Sequence, residues 1–270
     1  MTSTSTSPAP DVTPSPKGLR VQRPEIELRL GALVICDLHL DLGTVEGPEA
    51  FVRWLGAIGT PAQLIVLGDL FDVWVGPAQA QLPGAPSVLD AFARLTEQGT
   101  EILVVHGNRD FLLDETFERR TGARIVPDGF VGVCGGERIL FVHGDELCTL
   151  DTNYLRLRAV VRSRPVAWLA PRIPLPVAVR IAKRLRRAST RALTVKPVEE
   201  KSMQLAAAET VAEEARADLV VCGHAHEYRV RELGSGSRWM VLDAFGGERD
   251  VLRVGDGGAQ AVCSAGMANA

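Results

Sequence analysis

Residues 62–72 read AQLIVLGDLFD, an apolar and β-branched run that stops at a glycine and is followed by two carboxylates. Continuous apolar runs of this length are typical of strands buried on both faces of a sheet. Five other stretches have the same character: residues 31–40, 101–110, 138–147, 218–227 and 238–247. Amphipathic stretches that predict helices lie between them, at residues 48–59, 85–99 and 114–122. This alternation predicts an α/β fold with a largely parallel sheet.

The composition is that of an ordinary globular domain. The chain has 270 residues, of which 46% are hydrophobic and 23% charged, and its net charge is -3. Nothing in this charge balance predicts nucleic-acid binding. The five cysteines contain no C-x-x-C pair, which favours a reducing, cytoplasmic setting. No stretch has the ~18 uninterrupted apolar residues of a membrane span.

Two segments differ from the rest of the chain. Residues 1–22 are rich in Ser, Thr and Pro, and they predict a disordered tail before a single domain at residues 23–270. Residues 152–198 contain twelve Lys or Arg, five prolines and no acidic residue. We expect this region to be a helical insertion, followed by a final helix at roughly residues 198–217. A basic apolar segment of this kind can lie on an anionic membrane surface or pack on the core as solvated helices, and both remain open.

Side chains that can bind metals follow five of the six strand-like runs. They are Asp37 and His39, Asp69 and Asp72, Asn108, His143 and Asp145, and His224 and His226. Sites in open α/β sheets form outside the carboxyl ends of the strands, so we expect these side chains to converge at one sheet edge. The remaining histidine, His106, precedes its glycine, and we expect it to pack behind the site.

The chemistry of these side chains indicates two metal ions. Mixed carboxylate, imidazole and amide ligands suit Mn²⁺, Fe²⁺, Co²⁺ or Zn²⁺ better than Ca²⁺ or a thiolate-held Zn²⁺. The candidate ligands are Asp37, His39, Asp69, Asn108, His143, His224 and His226. These are too many for one tetrahedral ion. Two ions ~3.5–4 Å apart can clamp the attacking and leaving oxygens of a displacement at phosphorus. We expect Asp69 to bridge them.

The ordered set D-x-H, G-D-x-x-D, G-N-x-D, H-G-D and G-H-x-H resembles the calcineurin-like binuclear metallophosphoesterases over residues 32–245. Within that family, the strings DLHL, LGDLFDVWVG, HGNRDFLL, HGDELCT and GHAH are most similar to the UDP-2,3-diacylglucosamine diphosphatases of lipid A synthesis. The resemblance implies a four-layer αββα sandwich with an inserted basic helical cap at about residues 152–198. It also implies a cytoplasmic enzyme, peripheral on the inner face of the membrane, that releases UMP and acylated glucosamine 1-phosphate.

The resemblance further implies which residues form the site. One metal would be held by Asp37, His39, Asp69 and His226, and the second by Asp69, Asn108, His143 and His224, with Mn²⁺ the expected ion. The implied substrate contacts are Asn108, Arg109, Asp151, Ser189, Lys201 and His224. Of these, Asn108, Arg109 and His224 are the expected catalytic residues. Leu150 stands where an acidic residue is expected from the family pattern.

Arg109 stands where most of the superfamily has a histidine that assists the leaving group. An arginine cannot be a general acid, but it can bind phosphate oxygens bidentately and stabilise negative charge. A phosphate leaving group, with a second pKa near ~6, departs without a proton, whereas an alkoxide needs one. Arg109 therefore favours cleavage of a diphosphate link. The alternative for this residue is a surface ion pair with Asp110.

Two other functions are compatible with parts of the sequence. The same metal chemistry could act on another phosphoester, such as a nucleotide, a nucleotide-sugar or a phosphodiester. A binding module on a phosphoesterase scaffold would need no catalysis, but it predicts missing ligands, and every expected ligand is present.

Overall fold

The computed structural model describes residues 21–195 and 202–267, so the predicted disordered tail lies almost entirely outside the described residues. Its strands are β1 (Glu25–Glu27), β2 (Leu33–Ile35), β3 (Gln63–Leu67), β4 (Glu101–Val105), β5 (Arg124–Ile125), β6 (Phe130–Cys134), β7 (Glu137–Phe141), β8 (Leu219–Cys222), β9 (Arg229–Glu232), β10 (Arg238–Val241), β11 (Val251–Gly255) and β12 (Gly258–Val262). Its helices are α1 (Glu46–Ala57), α2 (Ala85–Glu97), α3 (Glu115–Thr121), α4 (Thr152–Val161), α5 (Arg164–Leu169), α6 (Leu175–Val195), α7 (Leu205–Ala215) and α8 (Ser264–Met267).

The strands form two six-stranded mixed sheets. The first sheet has the order β12-β11-β2-β3-β4-β5, and the second has the order β1-β6-β7-β8-β10-β9. Strands β2, β3, β4 and β5 are parallel neighbours in the first sheet, and β7, β8 and β10 are parallel neighbours in the second. All six predicted strands are present. The expectation that the five ligand-bearing strands share one sheet edge is wrong, because β2, β3 and β4 belong to one sheet and β7 and β8 to the other.

The two sheets and their helices form four layers. Between the sheets, Val34, Ile65 and Leu103 share a buried cluster with Phe141 and Val221 from the second sheet. Apolar side chains thus fill the space between the facing sheets, as in a sheet sandwich. The two outer faces of this sandwich are covered by helices, which gives the αββα order that the family resemblance implies.

Helices α1, α2 and α3 cover the first sheet. Phe51 and Trp54 of α1, Phe92 of α2 and Phe117 of α3 belong to one buried cluster with Leu64 of β3. On the other side, α7 covers the second sheet through small side chains, which allow a close approach to the strands. Ala208 and Ala212 of α7 share a cluster with Val220 and Trp239.

Helix boundaries follow local capping chemistry. Asp114 accepts a hydrogen bond from the Thr116 N–H at the start of α3, and Gly122 ends this helix in the left-handed region at φ 73°. Helix α7 begins later than the predicted residue 198. Gln204 has extended backbone, and its N–H donates to the Leu147 carbonyl at 2.8 Å, so the chain is still tied to the segment after β7 at this point.

Helices α4, α5 and α6 occupy the insertion between β7 and β8, where the sequence predicted helices. Several large apolar side chains on these helices are exposed, including Leu157, Val160, Trp168 and Leu169. Across residues 21–195 and 202–267, no helix combines the length and the apolar character that crossing a membrane requires.

Asp110 joins the loops that follow β3 and β4. Its side chain is fully buried, and burial raises its pKa. One carboxylate oxygen accepts hydrogen bonds from the N–H groups of Gly107 at 2.9 Å and Asp69 at 3.3 Å. The other accepts from Leu70 at 2.7 Å and Phe71 at 3.3 Å. The predicted alternative, a surface ion pair between Arg109 and Asp110, is therefore wrong, because these backbone donors occupy the Asp110 carboxylate.

Asp110→Asn should destabilise the protein by about 2–4 kcal/mol, because its amide group would face two backbone donors and leave them unsatisfied. Urea unfolding of the purified protein measures this loss. Asp114→Asn is the matched control, since asparagine caps a helix as well as aspartate does. Equal unfolding midpoints for the two variants would contradict the proposed importance of the Asp110 hydrogen bonds.

Candidate metal centre

Three predicted ligands meet at the ends of β2 and β8, and we call them the first cluster: Asp37, His39 and His226. The Nε2 atoms of His39 and His226 lie 3.0 Å apart. His226 Nε2 is also 3.4 Å from Asp37 Oδ1. One ligand atom from each residue lies within 4.8 Å of the others, which is close enough for a single cation to contact all three.

Three further predicted ligands form the second cluster: Asn108 after β4, His143 after β7 and His224 after β8. Asn108 Oδ1 lies 3.0 Å from His143 Nε2 and 3.1 Å from His224 Nδ1. The two imidazole nitrogens are 3.3 Å apart. On its far side, His143 Nδ1 lies 2.8 Å from the Leu67 carbonyl oxygen, a contact that directs Nε2 into the cluster.

Asp69 lies between the two clusters. Its Oδ2 atom is 3.8 Å from His39 Nδ1, and its Oδ1 atom is 3.8 Å from His143 Nε2. One oxygen therefore faces each cluster, which is the arrangement that a bridging carboxylate needs. Asp37 also approaches both sides, because Asp37, Asp69 and His143 can offer ligand atoms within 4.8 Å of one another.

The backbone is strained at these ligands. Six non-glycine residues in the described part of the chain have positive φ angles, and five of them are predicted ligands: Asp37 (52°), His39 (49°), Asp69 (52°), His224 (69°) and His226 (56°). A non-glycine residue in the left-handed region costs about 1–3 kcal/mol and persists where its surroundings impose it. Such strain concentrated on one group of side chains is typical of a functional site.

Two glycines permit the close approach of the loops. A Cβ atom on Gly107 would collide with the Asp69 carboxylate and backbone, and one on Gly223 would collide with Asp37 Oδ2. Any larger residue at either position would push the ligand loops apart, so only glycine fits there.

The pKa values of these side chains reflect their burial and their closeness to one another. Burial lowers the pKa of His39 to about 3 and that of His224 to about 4, so both imidazoles are neutral at pH 7. Burial raises the pKa of Asp69 to about 7. Burial opposes the charged form of His143, but nearby Asp69 and Asp37 outweigh it and raise the pKa of His143 to about 9. Neutral imidazoles and ionised carboxylates are the forms that bind metals.

The donor atoms fit divalent cations. Asp37 Oδ1 and His39 Nδ1 are buried without a hydrogen-bond partner among the described residues, and such unpaired polar atoms are costly unless a ligand satisfies them. Cys36 lies beside Asp37, but its thiol donates to the Asp243 carbonyl at 3.4 Å, and burial raises its pKa well above the ordinary value. The available donors are therefore oxygen and imidazole nitrogen.

Arg109 lies against the bridging carboxylate. Its Nε atom is 3.5 Å from Asp69 Oδ2, and its Nη1 atom donates to Asp72 Oδ1 at 3.0 Å. The Arg109 N–H also donates to Asp69 Oδ1 at 2.9 Å. Asp72, which sequence reasoning placed only within a motif, thus orients the guanidinium. Its position in G-D-x-x-D was the available indication of this role.

The other predicted residues lie further from the clusters or outside the description. Asp151 is buried and accepts a hydrogen bond from the Tyr154 N–H at 2.9 Å, which caps α4. Ser189 belongs to α6, but the position of its side chain lies outside what is described, and Lys201 lies outside the described residues. His106 is buried with Nε2 3.0 Å from the Leu113 carbonyl oxygen, consistent with its expected packing role.

Comparison with known proteins identifies the family. The family model described as calcineurin-like phosphoesterase matches residues 32–228.

The chain belongs to the calcineurin-like phosphoesterase family. It is similar to proteins named UDP-2,3-diacylglucosamine hydrolase from several bacteria. The Ralstonia nicotianae protein is 36% identical over 77% of this chain and 82% of its own length. The Aeromonas salmonicida protein is 35% identical over 83% of this chain and 89% of its own length. The Stutzerimonas stutzeri protein is 32% identical over 84% of this chain and 95% of its own length.

Membership of this calcineurin-like phosphoesterase family, together with the hydrolase relatives, makes the chain an enzyme. The family implies divalent metal ions, and the two clusters contain suitable donors. The non-enzymatic binding module considered from the sequence is therefore excluded.

Asp69→Ala should abolish Mn²⁺ binding and phosphoesterase activity together, because it removes the carboxylate that faces both clusters. Loss of even an outer partner of a metal ligand costs ~10–100-fold in affinity or activity, so this loss should exceed ~100-fold. Calorimetric Mn²⁺ titration and p-nitrophenyl phosphate hydrolysis measure both effects. Asp256→Ala, in the exposed turn between β11 and β12, is the control. Full activity of Asp69→Ala would refute the bridging role.

Proposed function

We propose that this enzyme hydrolyses the diphosphate bond of UDP-2,3-diacylglucosamine to give UMP and 2,3-diacylglucosamine 1-phosphate. The observation that carries the proposal is the position of Arg109, whose guanidinium lies 3.5 Å from the carboxylate between the two clusters. The names of the relatives from Ralstonia nicotianae and Aeromonas salmonicida support the same substrate.

In this proposal, two divalent ions occupy the clusters. Asp37, His39, Asp69 and His226 would hold one ion, and Asp69, Asn108, His143 and His224 the other. Mn²⁺ is the expected metal, with Fe²⁺, Co²⁺ and Zn²⁺ as alternatives that the same oxygen and imidazole donors accept. When bound, the ions supply positive charge to the phosphate oxygens and lower the pKa of water.

Arg109 binds phosphate oxygens and stabilises the charge that develops as the diphosphate breaks. Asp72 holds one edge of its guanidinium at 3.0 Å, which limits the orientations that the side chain can adopt. Because the leaving group is a phosphate, no proton donor is needed at this position. The Asn108 amide and the His224 imidazole face the same space and would contact the phosphate that is attacked.

The inserted helical cap would receive the acyl chains and approach the membrane. Trp168 is 63% exposed, and its chain neighbour Leu169 and Val160 of α4 are also exposed. The Arg172 guanidinium lies 3.9 Å from the centre of the Trp168 ring. Large apolar side chains with neighbouring arginines suit the interface of an anionic bilayer. We therefore place the enzyme in the cytoplasm, peripheral on the inner face of the membrane. Asp151, Ser189 and Lys201 are the further residues that this proposal assigns to substrate binding.

The decisive measurement is turnover of UDP-2,3-diacylglucosamine with Mn²⁺, beside UDP-N-acetylglucosamine and p-nitrophenyl phosphate. We expect strong preference for the acylated diphosphate, with UMP as a product. Hydrolysis of the simpler esters alone would retain the metal chemistry and refute the lipid substrate, leaving another phosphoester as the function.

Arg109→His should lower kcat for the diphosphate by about 10–100-fold, because imidazole cannot bind the phosphate oxygens bidentately. Hydrolysis of p-nitrophenyl phosphate should be maintained or increased. Arg119→His, on the exposed face of α3, is the matched control. Unchanged diphosphate turnover in Arg109→His would refute the role given to the guanidinium.

Trp168→Ser should weaken binding to vesicles that contain phosphatidylglycerol by about tenfold. This loss is part of the ~1.5–3 kcal/mol that burial of a large apolar side chain contributes. Cosedimentation with vesicles measures this binding, which should also weaken as salt concentration rises. Val230→Ser changes an exposed apolar residue on β9 and serves as the control. Equal vesicle binding by both variants would refute membrane contact through the cap.

A further inference from the structure

A partly buried group of charged side chains attaches α4 to the core, and we call it the Asp145 cluster. Its members are Arg23, Asp128, Asp145, Glu146, Arg158 and Arg162. Asp145 is at its centre, with a side chain that is only 1% exposed. The Asp145 Oδ2 atom accepts hydrogen bonds from the Tyr154 hydroxyl at 2.5 Å and from Arg158 Nε at 2.8 Å.

Arg162 directly follows α4 and connects this cluster to the loop after β4, which contains Gly107 and Asn108. Its Nη1 atom donates to Asp128 Oδ1 at 3.3 Å, and its Nη2 atom donates to the Gly107 carbonyl at 3.3 Å. The same Nη2 atom lies 3.8 Å from Asp145 Oδ2. The side chain is only 15% exposed, so water provides little competition for these contacts.

The Gly107 carbonyl belongs to the peptide group that leads into Asn108. On the core side, the Gly107 N–H donates to Asp110 at 2.9 Å. Arg162 therefore holds the second polar group of this glycine from the helix side. Asn108 presents its amide oxygen to His143 and His224 from the next position in the chain, so a rotation of this peptide group would displace that oxygen.

We propose that Arg162 is a positioning residue that fixes the Gly107–Asn108 peptide group and thereby couples α4 to the second cluster. The proposal rests on the proposed metal-dependent function, but not on the identity of its substrate. It gives the inserted helices a role beyond substrate capture, because the same helix that carries Tyr154 and Arg158 also sets the geometry of a ligand loop.

Two other roles for Arg162 make different predictions. A residue that only attaches α4 would change the stability of the protein without changing Mn²⁺ affinity. A residue that acts only through its charge would repel a cation, so its removal would tighten Mn²⁺ binding. Positioning of the peptide group instead predicts weaker Mn²⁺ binding when the positive charge is removed.

The test compares Arg162→Gln with Arg156→Gln, which removes the same charge from an exposed position on the same helix. Calorimetric titration of the metal-free protein measures the affinity for Mn²⁺. Hydrolysis of p-nitrophenyl phosphate separates kcat from KM. We expect Arg162→Gln to bind one of two Mn²⁺ ions about tenfold less tightly and to lose about tenfold in kcat, with KM little changed. Arg156→Gln should match the unaltered protein.

Unchanged or tighter Mn²⁺ binding by folded Arg162→Gln would overturn the proposal. If this variant does not fold, Asp128→Asn replaces it, since Asp128 is half exposed and contacts Arg162 without contacting the ligand loop. Asp128→Asn should lower the affinity for the same Mn²⁺ ion by about threefold. An unchanged affinity would also overturn the proposal. Absence of turnover of UDP-2,3-diacylglucosamine by the unaltered protein would refute the proposed substrate and leave the Mn²⁺ result valid.

Discussion

The carboxylate of Asp110 is the constraint on which the centre depends. Four backbone N–H groups from two loops donate hydrogen bonds to its two oxygens, and these bonds hold the loops together. One loop carries Asp69 and the other carries Asn108 and Arg109. A buried carboxylate is stable only when its oxygens accept hydrogen bonds, so Asp110 and the two loops depend on each other. The loops satisfy Asp110, and Asp110 holds the loops in contact.

This contact imposes strain and unfavourable electrostatics on the ligands. Left-handed backbone at Asp37, His39 and Asp69 directs their side chains into one small volume. Burial and proximity then hold Asp69 near a pKa of about 7 and leave Asp37 Oδ1 without a hydrogen bond. Divalent cations would relieve both effects, since they replace the missing partners and favour the ionised carboxylates. The strained backbone and the unpaired polar atoms are therefore features that suit a metal site.

Two arginines act at the loop that follows β4: Arg109 belongs to this loop, and Arg162 contacts it from the end of α4. Arg109 turns towards Asp69 and Asp72, where its charge can meet a phosphate. Arg162 comes from α4 and contacts the Gly107 carbonyl from the other side. The proposed positioning role makes the inserted helices part of the centre, so capture of a lipid substrate and alignment of its phosphate would depend on one connected structure.

Much of the fold and the candidate residues of the centre could be predicted from the sequence. The apolar runs predicted strands β2, β3, β4, β7, β8 and β10, because local hydrophobicity is encoded over a few adjacent residues. The candidate ligands were predicted from their positions at the ends of these strands, and the family resemblance predicted the αββα layers. Strands such as β6 and β12 were missed, because they contain glycine and become strands only by pairing with neighbours.

The way in which the candidate ligands meet depends on the packing of the two sheets. Residue patterns suggested one sheet edge, whereas the ligands come from the ends of two facing sheets, and a pattern within one strand contains no information about its sheet. The same limit explains Asp110 and Arg162. The alternative considered for Arg109 placed Asp110 at the surface, but Asp110 is buried under four N–H groups that include donors about 40 residues away in the chain. Arg162 contacts Gly107 across 55 residues, a relation that packing alone creates.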